Sequence, residues 1–196
     1  MPARRPRKKF GASQKDRIFF ACLPDSGPDN GPDNETASRI HALAEELKAA
    51  HNLSGNLILP EHLHVTLFHL GDWAALPEEI VAIAKQAAGQ VALRPFTVTF
   101  KRAESFRNRT GIYPFVLTGD AAQWKTLHDD LGAALKKAGL GAATQGDFKP
   151  HVTLLRDSRR IPPLAVEPVS WEVRNFVLIH SLLGKTTHIH LGRWPD

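Results

Sequence analysis

The tetrapeptide His-Val-Thr-Leu occurs twice in this chain, at 64–67 and at 151–154, and its composition ties both copies to one kind of backbone. Valine and threonine favour strands. Side chains in a strand alternate between faces, so His64 and Thr66 share one side while Val65 and Leu67 take the other. His151 and Thr153 obey the same rule. Each strand therefore presents an imidazole and a hydroxyl on one face and anchors its branched apolar residues in a core on the opposite face. The lead-ins are also alike, Leu59-Pro60-Glu61-His62-Leu63 before the first copy and Phe148-Lys149-Pro150 before the second, which points to two related halves facing one another. Repetition alone carries less: Gly-Pro-Asp-Asn recurs at 27–30 and 31–34, but it is built of turn formers with nothing apolar to bury and reads as a flexible connection.

Strands and helices can be laid out around these two anchors. The apolar run 17–23, bounded by Pro24, reads as a buried strand. Ile40, Leu43, Ala44 and Leu47 recur at helical spacing and predict an amphipathic helix over 36–50, with Asn34 or Thr36 as N-cap. The segment 57–70 is extended, is interrupted by Pro60 and closes at Gly71-Asp72. Pro77 opens a second helix whose face is Leu76, Ile80, Ile83, Ala84 and Ala87 and which Gly89 ends. Strands are expected at 96–100 and 112–118 with a polar link over 102–111. A third helix, starting near Asp120, carries Trp124, Leu127, Leu131, Ala134 and Leu135 and stops at Gly139. Strands at 151–155, 173–183 and 188–194 complete the pattern, the last two joined by a turn at Gly184-Lys185. Helices and strands do not alternate strictly, so the expected class is α+β rather than a doubly wound parallel sheet.

The chain has 196 residues, 42% of them hydrophobic and 23% charged, as in a globular protein with one core. No window holds the roughly 18–20 uninterrupted apolar residues of a membrane-spanning helix and no secretory signal opens the chain, so a cytoplasmic protein without a membrane partner is expected. Cys22 is the single cysteine, which excludes an intramolecular disulfide and a thiolate zinc cluster. The formal charge of +5 is concentrated at the start. Residues 1–17 carry seven basic side chains against the lone acid Asp16, a net +6, which leaves −1 for the rest. The expected organisation is a basic, disordered arm over 1–16 followed by one domain over 17–196. The arm reads either as a solvated tail or as a phosphate-attracting segment. No glycine-rich phosphate loop or dinucleotide fingerprint follows any strand, which disfavours a nucleoside triphosphate or nicotinamide enzyme.

Two imidazoles flanking one substrate suit a reaction in which one proton leaves a nucleophile and another reaches a leaving group. An unperturbed pKa near 6.5 lets one ring be neutral and the other charged at the same pH. Threonine hydroxyls two residues away can donate to non-bridging phosphate oxygens as negative charge shifts in the transition state. The pattern points to phosphodiester chemistry without a cofactor. His62 with His64, and His188 with His190, have a spacing that can bind zinc. No cysteine or acid accompanies either pair in a recurrent ligand pattern, and a metal on His64 would remove it as proton donor, so no metal is expected. His69 falls opposite His64 by parity and is expected to pack or to face solvent.

With these residues in view, the sequence resembles the two-histidine phosphoesterases, whose pattern is a pair of His-x-Thr-x motifs on facing strands. It is similar in particular to the LigT-type RNA 2′,3′-cyclic phosphodiesterases, also called 2′-5′ RNA ligases. The likeness is carried by 17–21, 60–71, 148–156 and 176–195. It implies two pseudo-symmetric lobes of antiparallel sheet with outer helices around a central groove. It also implies His64 as general acid on the departing ribose 3′ oxygen, His151 as general base on water, and Thr66 and Thr153 on the phosphate. Arg156 matches a family arginine near the phosphate or nucleobase, and Phe148 is a candidate for base stacking. The implied partner is RNA with a 2′,3′-cyclic phosphate end, tRNA fragments among the sources, acted on by a monomer, with 2′-5′ joining as the reverse reaction. A phosphodiesterase for a small nucleotide-derived cyclic phosphate, and a noncatalytic RNA-end-binding module, are the alternatives.

Overall fold

The computed structural model describes residues 15–24 and 35–195. The Gly-Pro-Asp-Asn repeats and the arm up to residue 14 lie outside them. Eight strands form one antiparallel sheet: β1 (Asp16–Cys22), β2 (Val65–Trp73), β3 (Phe96–Ser105), β4 (Tyr113–Gly119), β5 (His151–Asp157), β6 (Leu164–Val173), β7 (Phe176–Leu182) and β8 (Thr187–Trp194), in the order β6-β3-β4-β5-β2-β1-β7-β8. The α+β class is as expected. Strand β1 begins at Asp16, whose carboxylate accepts a hydrogen bond from His180 Nε2 at 2.7 Å.

The two lobes are visible in the pairing. The halves β6-β3-β4-β5 and β2-β1-β7-β8 meet at a single register pair, Val65 opposite Val152. Within each half a helix connects two antiparallel neighbours: α1 (Glu35–Ala50) lies between β1 and β2, and α3 (Lys125–Lys137) between β4 and β5. The remaining helix, α2 (Glu78–Ala88), leads from β2 to β3. Among the described residues no helix is long and apolar enough to cross a membrane.

The helices cover one face only. Ile40, Ala44 and Leu47 of α1, Val81 and Ala84 of α2, and Leu127, Leu131 and Leu135 of α3 share a continuous buried cluster with Ile18, Phe20, Val65, Leu67, Val152 and Leu154. Burying that face is the main apolar driving force for the fold. Gly132 lets α3 approach the sheet closely, since a Cβ there would lie 3.1 Å from the Phe68 ring. On the other face Phe19, Ala21, Val177 and Ile179 form a small separate cluster. Strand β1 is thus apolar on both sides, as its uninterrupted hydrophobic run requires.

Two expectations differ from the structure. Strand β3 runs on to Ser105, because pairing with β4 and β6 holds the polar stretch from Arg102 onward in the ladder. The expected single strand over 173–183 is two strands, β6 and β7, separated at Arg174-Asn175. The rest of β6 carries Pro168, and proline within a sheet is confined to edge strands, strand starts and irregularities. β6 is the edge strand, and its ladder with β3 is irregular between Phe100 and Arg102, beside Pro168.

Candidate active site

His64 and His151 stand at the seam between the two halves, just before and at the start of β2 and β5. Each ring is held the same way. His64 Nδ1 donates to the backbone carbonyl of His62 at 2.7 Å, and His151 Nδ1 donates to that of Lys149 at 2.7 Å. A carbonyl has no proton to give, so each Nδ1 carries the hydrogen and each Nε2 is the nitrogen left to meet a ligand. The similar lead-ins therefore share a structural part, since each supplies the carbonyl that orients its ring.

Both histidines line one open groove of about 560 Å³, together with Thr66, Thr153 and Arg156. Five of the residues expected at the site are thus brought together. Phe148 is not among them. Its ring stacks on His128 of α3, with centroids 4.2 Å apart and planes 20° from parallel, and it packs against the main core.

His69 departs from its expected position. Strict alternation would put it on the helix-covered face, yet it lines the groove. In the β1–β2 ladder Phe20 pairs with Phe68 and Ala21 with Thr66, so Leu67 is an extra residue and the phase inverts after it. Strand β5 carries the same irregularity: Phe115 pairs with Leu155 and Val116 with Thr153, which leaves Leu154 extra. Both consecutive residues are buried in each strand, Leu67 and Phe68 in β2, Leu154 and Leu155 in β5. The bulges turn the fifth residue after each motif histidine into the groove. His69 and Arg156 are therefore counterparts.

Their environments differ. His69 Nε2 lies 2.9 Å from Asp72 Oδ1, and Asp72 also accepts both Nε (2.7 Å) and Nη2 (2.8 Å) of Arg17. The Arg17 guanidinium, with help from His69, holds the Asp72 carboxyl well below the usual carboxylate range. Arg156 makes no ion pair with any described residue, so its charge is available to the groove.

Other groove residues had weaker sequence signals. Phe19 of β1 lies 5.0 Å from the His64 ring and 5.7 Å from that of His188, which comes from β8. The His188 ring is 4.6 Å from His62 and 5.6 Å from His64. Strand phase predicts His62 beside His64, but His62 closes the short 3-10 turn Pro60–His62 before β2, and its meeting with His188 of β8 was not legible. Among the described residues no three or more His, Cys, Asp or Glu side chains are placed to hold a metal ion.

The groove favours neutral imidazoles. Burial pushes His64 down to about 4, and the positive charges of His151, Arg156 and His62 add to the effect against the opposing hydrogen bond to the His62 carbonyl. Burial likewise lowers His151, with Arg156 contributing. His188 falls to about 4, through burial first and then His64, His62 and His190. A cavity that disfavours positive charge when empty, yet gathers several groups able to carry it, suits an anionic ligand that supplies the missing negative charge.

One groove wall is held by a buried carboxylate. Asp157 accepts from the backbone N–H groups of Ser54 (2.6 Å), Gly55 (2.7 Å) and Arg159 (2.7 Å) and from Ser54 Oγ (3.1 Å). These bonds bring its carboxyl down to about 2. They dock the segment leading into 56–59, which lines the groove. Gly55 is required there because a Cβ would sit 2.0 Å from the Arg156 carbonyl oxygen.

An antiparallel α+β sheet whose two halves each deliver a His-x-Thr strand to a shared groove defines the class of two-histidine phosphoesterase folds. Comparison with known proteins narrows the class. The family model of the 2′-5′ RNA ligase superfamily matches residues 32–185, and the chain belongs to that superfamily. An RNA 2′,3′-cyclic phosphodiesterase of Archaeoglobus fulgidus is 32% identical over 148 residues, which cover 70% of this chain and 81% of that protein. Among solved structures, the protein TT0787 of Thermus thermophilus superposes with a TM-score of 0.68 at 23% identity, covering 90% of this chain and 96% of that one. E. coli LigT complexed with 3′-AMP gives a TM-score of 0.65 at 24% identity, with 92% and 97% covered. At these identities the two structures speak for the fold.

Proposed function

We propose that this protein opens RNA 2′,3′-cyclic phosphate ends to 2′-phosphomonoesters by acid–base catalysis between His64 and His151, without a metal. The observation that carries the reading is the pair of matched Nδ1–carbonyl bonds, which leave two Nε2 atoms for one groove. The curated relative in A. fulgidus supports the substrate class.

Water attacks phosphorus and the P–O3′ bond breaks. The water proton passes to His151 Nε2, and the proton on His64 Nε2 passes to the departing O3′. Thr66 and Thr153 donate to the non-bridging oxygens, and Arg156 opposes their charge. In the empty groove burial favours the neutral form of both rings. The phosphodiester anion raises the affinity of the acid for its proton, so substrate binding itself charges the catalyst. With a 5′-hydroxyl in place of water the same transfers would join two ends through a 2′-5′ linkage. Residues 17–196 act as one unit in this reading, as a monomer, and RNA fragments such as those from tRNA are its substrates.

The test is the position of phosphate in the product from a dinucleotide bearing a 2′,3′-cyclic end, with and without a chelator. A 2′-monoester is expected at the same rate in both. A 3′-monoester would overturn the assignment of leaving group. Tight binding with no turnover would replace the enzyme by a noncatalytic RNA-end-binding module.

A further inference from the structure

The histidine groove has a neighbour. A second cleft of about 700 Å³ has a lining that includes Arg102, Arg107, Lys149 and Arg160 against one acid, Glu104. The four cations come from β3, the β3–β4 loop, the lead-in to β5 and the segment after β5. Their convergence is built into the fold: the backbone N–H of buried Ser105 donates to the Ile161 carbonyl at 2.9 Å, and the Ile161 N–H donates to Ser105 Oγ at 3.0 Å. That pair of bonds ties the segment bearing Arg160 to the end of β3. None of the four cationic heads is ion-paired among the described residues. Like charges gathered around a concave surface without counter-charges raise its positive potential and favour a ligand with several negative charges.

Two residues join the cleft to the catalytic imidazole. Lys149 lines the cleft, and its carbonyl holds His151 Nδ1. Phe106 lines the cleft, and its ring packs against that of His151, with centroids 4.9 Å apart and planes at 61°. The two cavities therefore share the His151–Phe106 wall. A single nucleotide fits a groove of the first cavity's size and would leave the cleft unused. A strand that ends at His151 has a route into it.

We propose that this cleft is a binding track for the RNA strand upstream of the cyclic end. Arg102, Arg107, Lys149 and Arg160 would receive successive phosphates, and Phe106 would offer a ring to a base. The inference rests on the phosphodiesterase reading and extends it, because it makes an oligoribonucleotide the preferred substrate. Phe148 lines the same cleft, but one face of its ring is covered by His128, so base stacking is placed at Phe106.

The test uses the full chain, wild type and the triple variant Arg102→Ala/Arg107→Ala/Arg160→Ala, with two substrates: a mononucleoside 2′,3′-cyclic phosphate and a hexaribonucleotide ending in one. The variant should process the mononucleotide within about twofold of wild type, which also shows that it folds. Its KM for the hexanucleotide should rise about tenfold or more, and log(kcat/KM) should depend less steeply on log salt by about 2, as expected for three lost phosphate contacts on a single strand. Unchanged kinetics on both substrates would overturn the track and leave the reaction intact. Failure of wild type to turn over either substrate would instead overturn the reading of the chemistry. Fluorescence anisotropy of the labelled hexanucleotide examines the cleft separately: weaker, less salt-sensitive binding by the variant supports the track, and equal affinity overturns it whatever the chemistry.

Discussion

The β2 and β5 halves of the site share a backbone plan and differ in electrostatics. Each has a histidine clamped to the carbonyl two residues earlier, a threonine on the same face, and an extra leucine that turns the fifth residue inward. The β2 fifth residue, His69, contacts an acid that Arg17 already holds, while the β5 fifth residue, Arg156, brings a guanidinium with no ion pair among the described residues. The first histidine also has imidazole neighbours from outside its strand, whereas the second is flanked by Phe106. A duplicated local device thus gains unequal roles from what neighbouring strands place beside it.

The sharpest way to break the comparison is to remove each imidazole. His64→Ala and His151→Ala are each expected to lower kcat by on the order of 10²–10⁴-fold with circular dichroism unchanged. A substrate whose 3′ oxygen is sulfur needs no proton on its leaving group, so it should restore much of the rate to the His64 variant and none to the His151 variant. Rescue of the other variant would exchange the two roles.

The fifth residues come next. Arg156→Gln should cost about 10–100-fold in kcat/KM, the value of a charge-assisted contact to phosphate, whereas His69→Gln should cost no more than a few-fold. Equal losses would mean that the Asp72 contact does not set the two apart. On stability, Asp157→Ala leaves three backbone donors without their acceptor, and an unfolding midpoint in urea should report a loss of about 1–3 kcal/mol.

The smallest effect is in pH. Because burial lowers both imidazoles, each stays neutral to a lower pH than a free histidine, and the kcat/KM profile of the free enzyme should have its maximum below pH about 6.5. The bound anion opposes that shift, so the kcat profile should lie at higher pH. Arg156 disfavours the charged form of both rings, and Arg156→Gln should therefore move both limbs of kcat/KM upward. A profile that moves on one limb only would show that the groove is less symmetric than its hydrogen bonds.

Much of this site is legible in the sequence alone. The shared face of His64 and Thr66, and of His151 and Thr153, follows from strand alternation, and the matching lead-ins marked two halves. Arg156 was reached through family resemblance, while the same parity rule that served the histidines misplaced His69. The rule fails there for a physical reason: a bulge is a mismatch of register between two strands, and β1 and β4 are distant in sequence from the residues they displace. Phe148 lies outside the histidine groove, on the wall of the second cleft with the His128 ring of α3 stacked on one of its faces, a placement that no local pattern reveals. Phe106 lay within a stretch read as a polar link.

Residue order by itself determined which side chains each motif strand would present together, because alternation, turn chemistry and the orienting carbonyl all act within a few bonds. Only the tertiary structure decided that the two strands meet at Val65 and Val152, that paired bulges bring His69 and Arg156 into one groove, and that a basic cleft adjoins His151. Those outcomes depend on contacts between segments far apart along the chain, where register and packing choose among arrangements that local preferences leave equal.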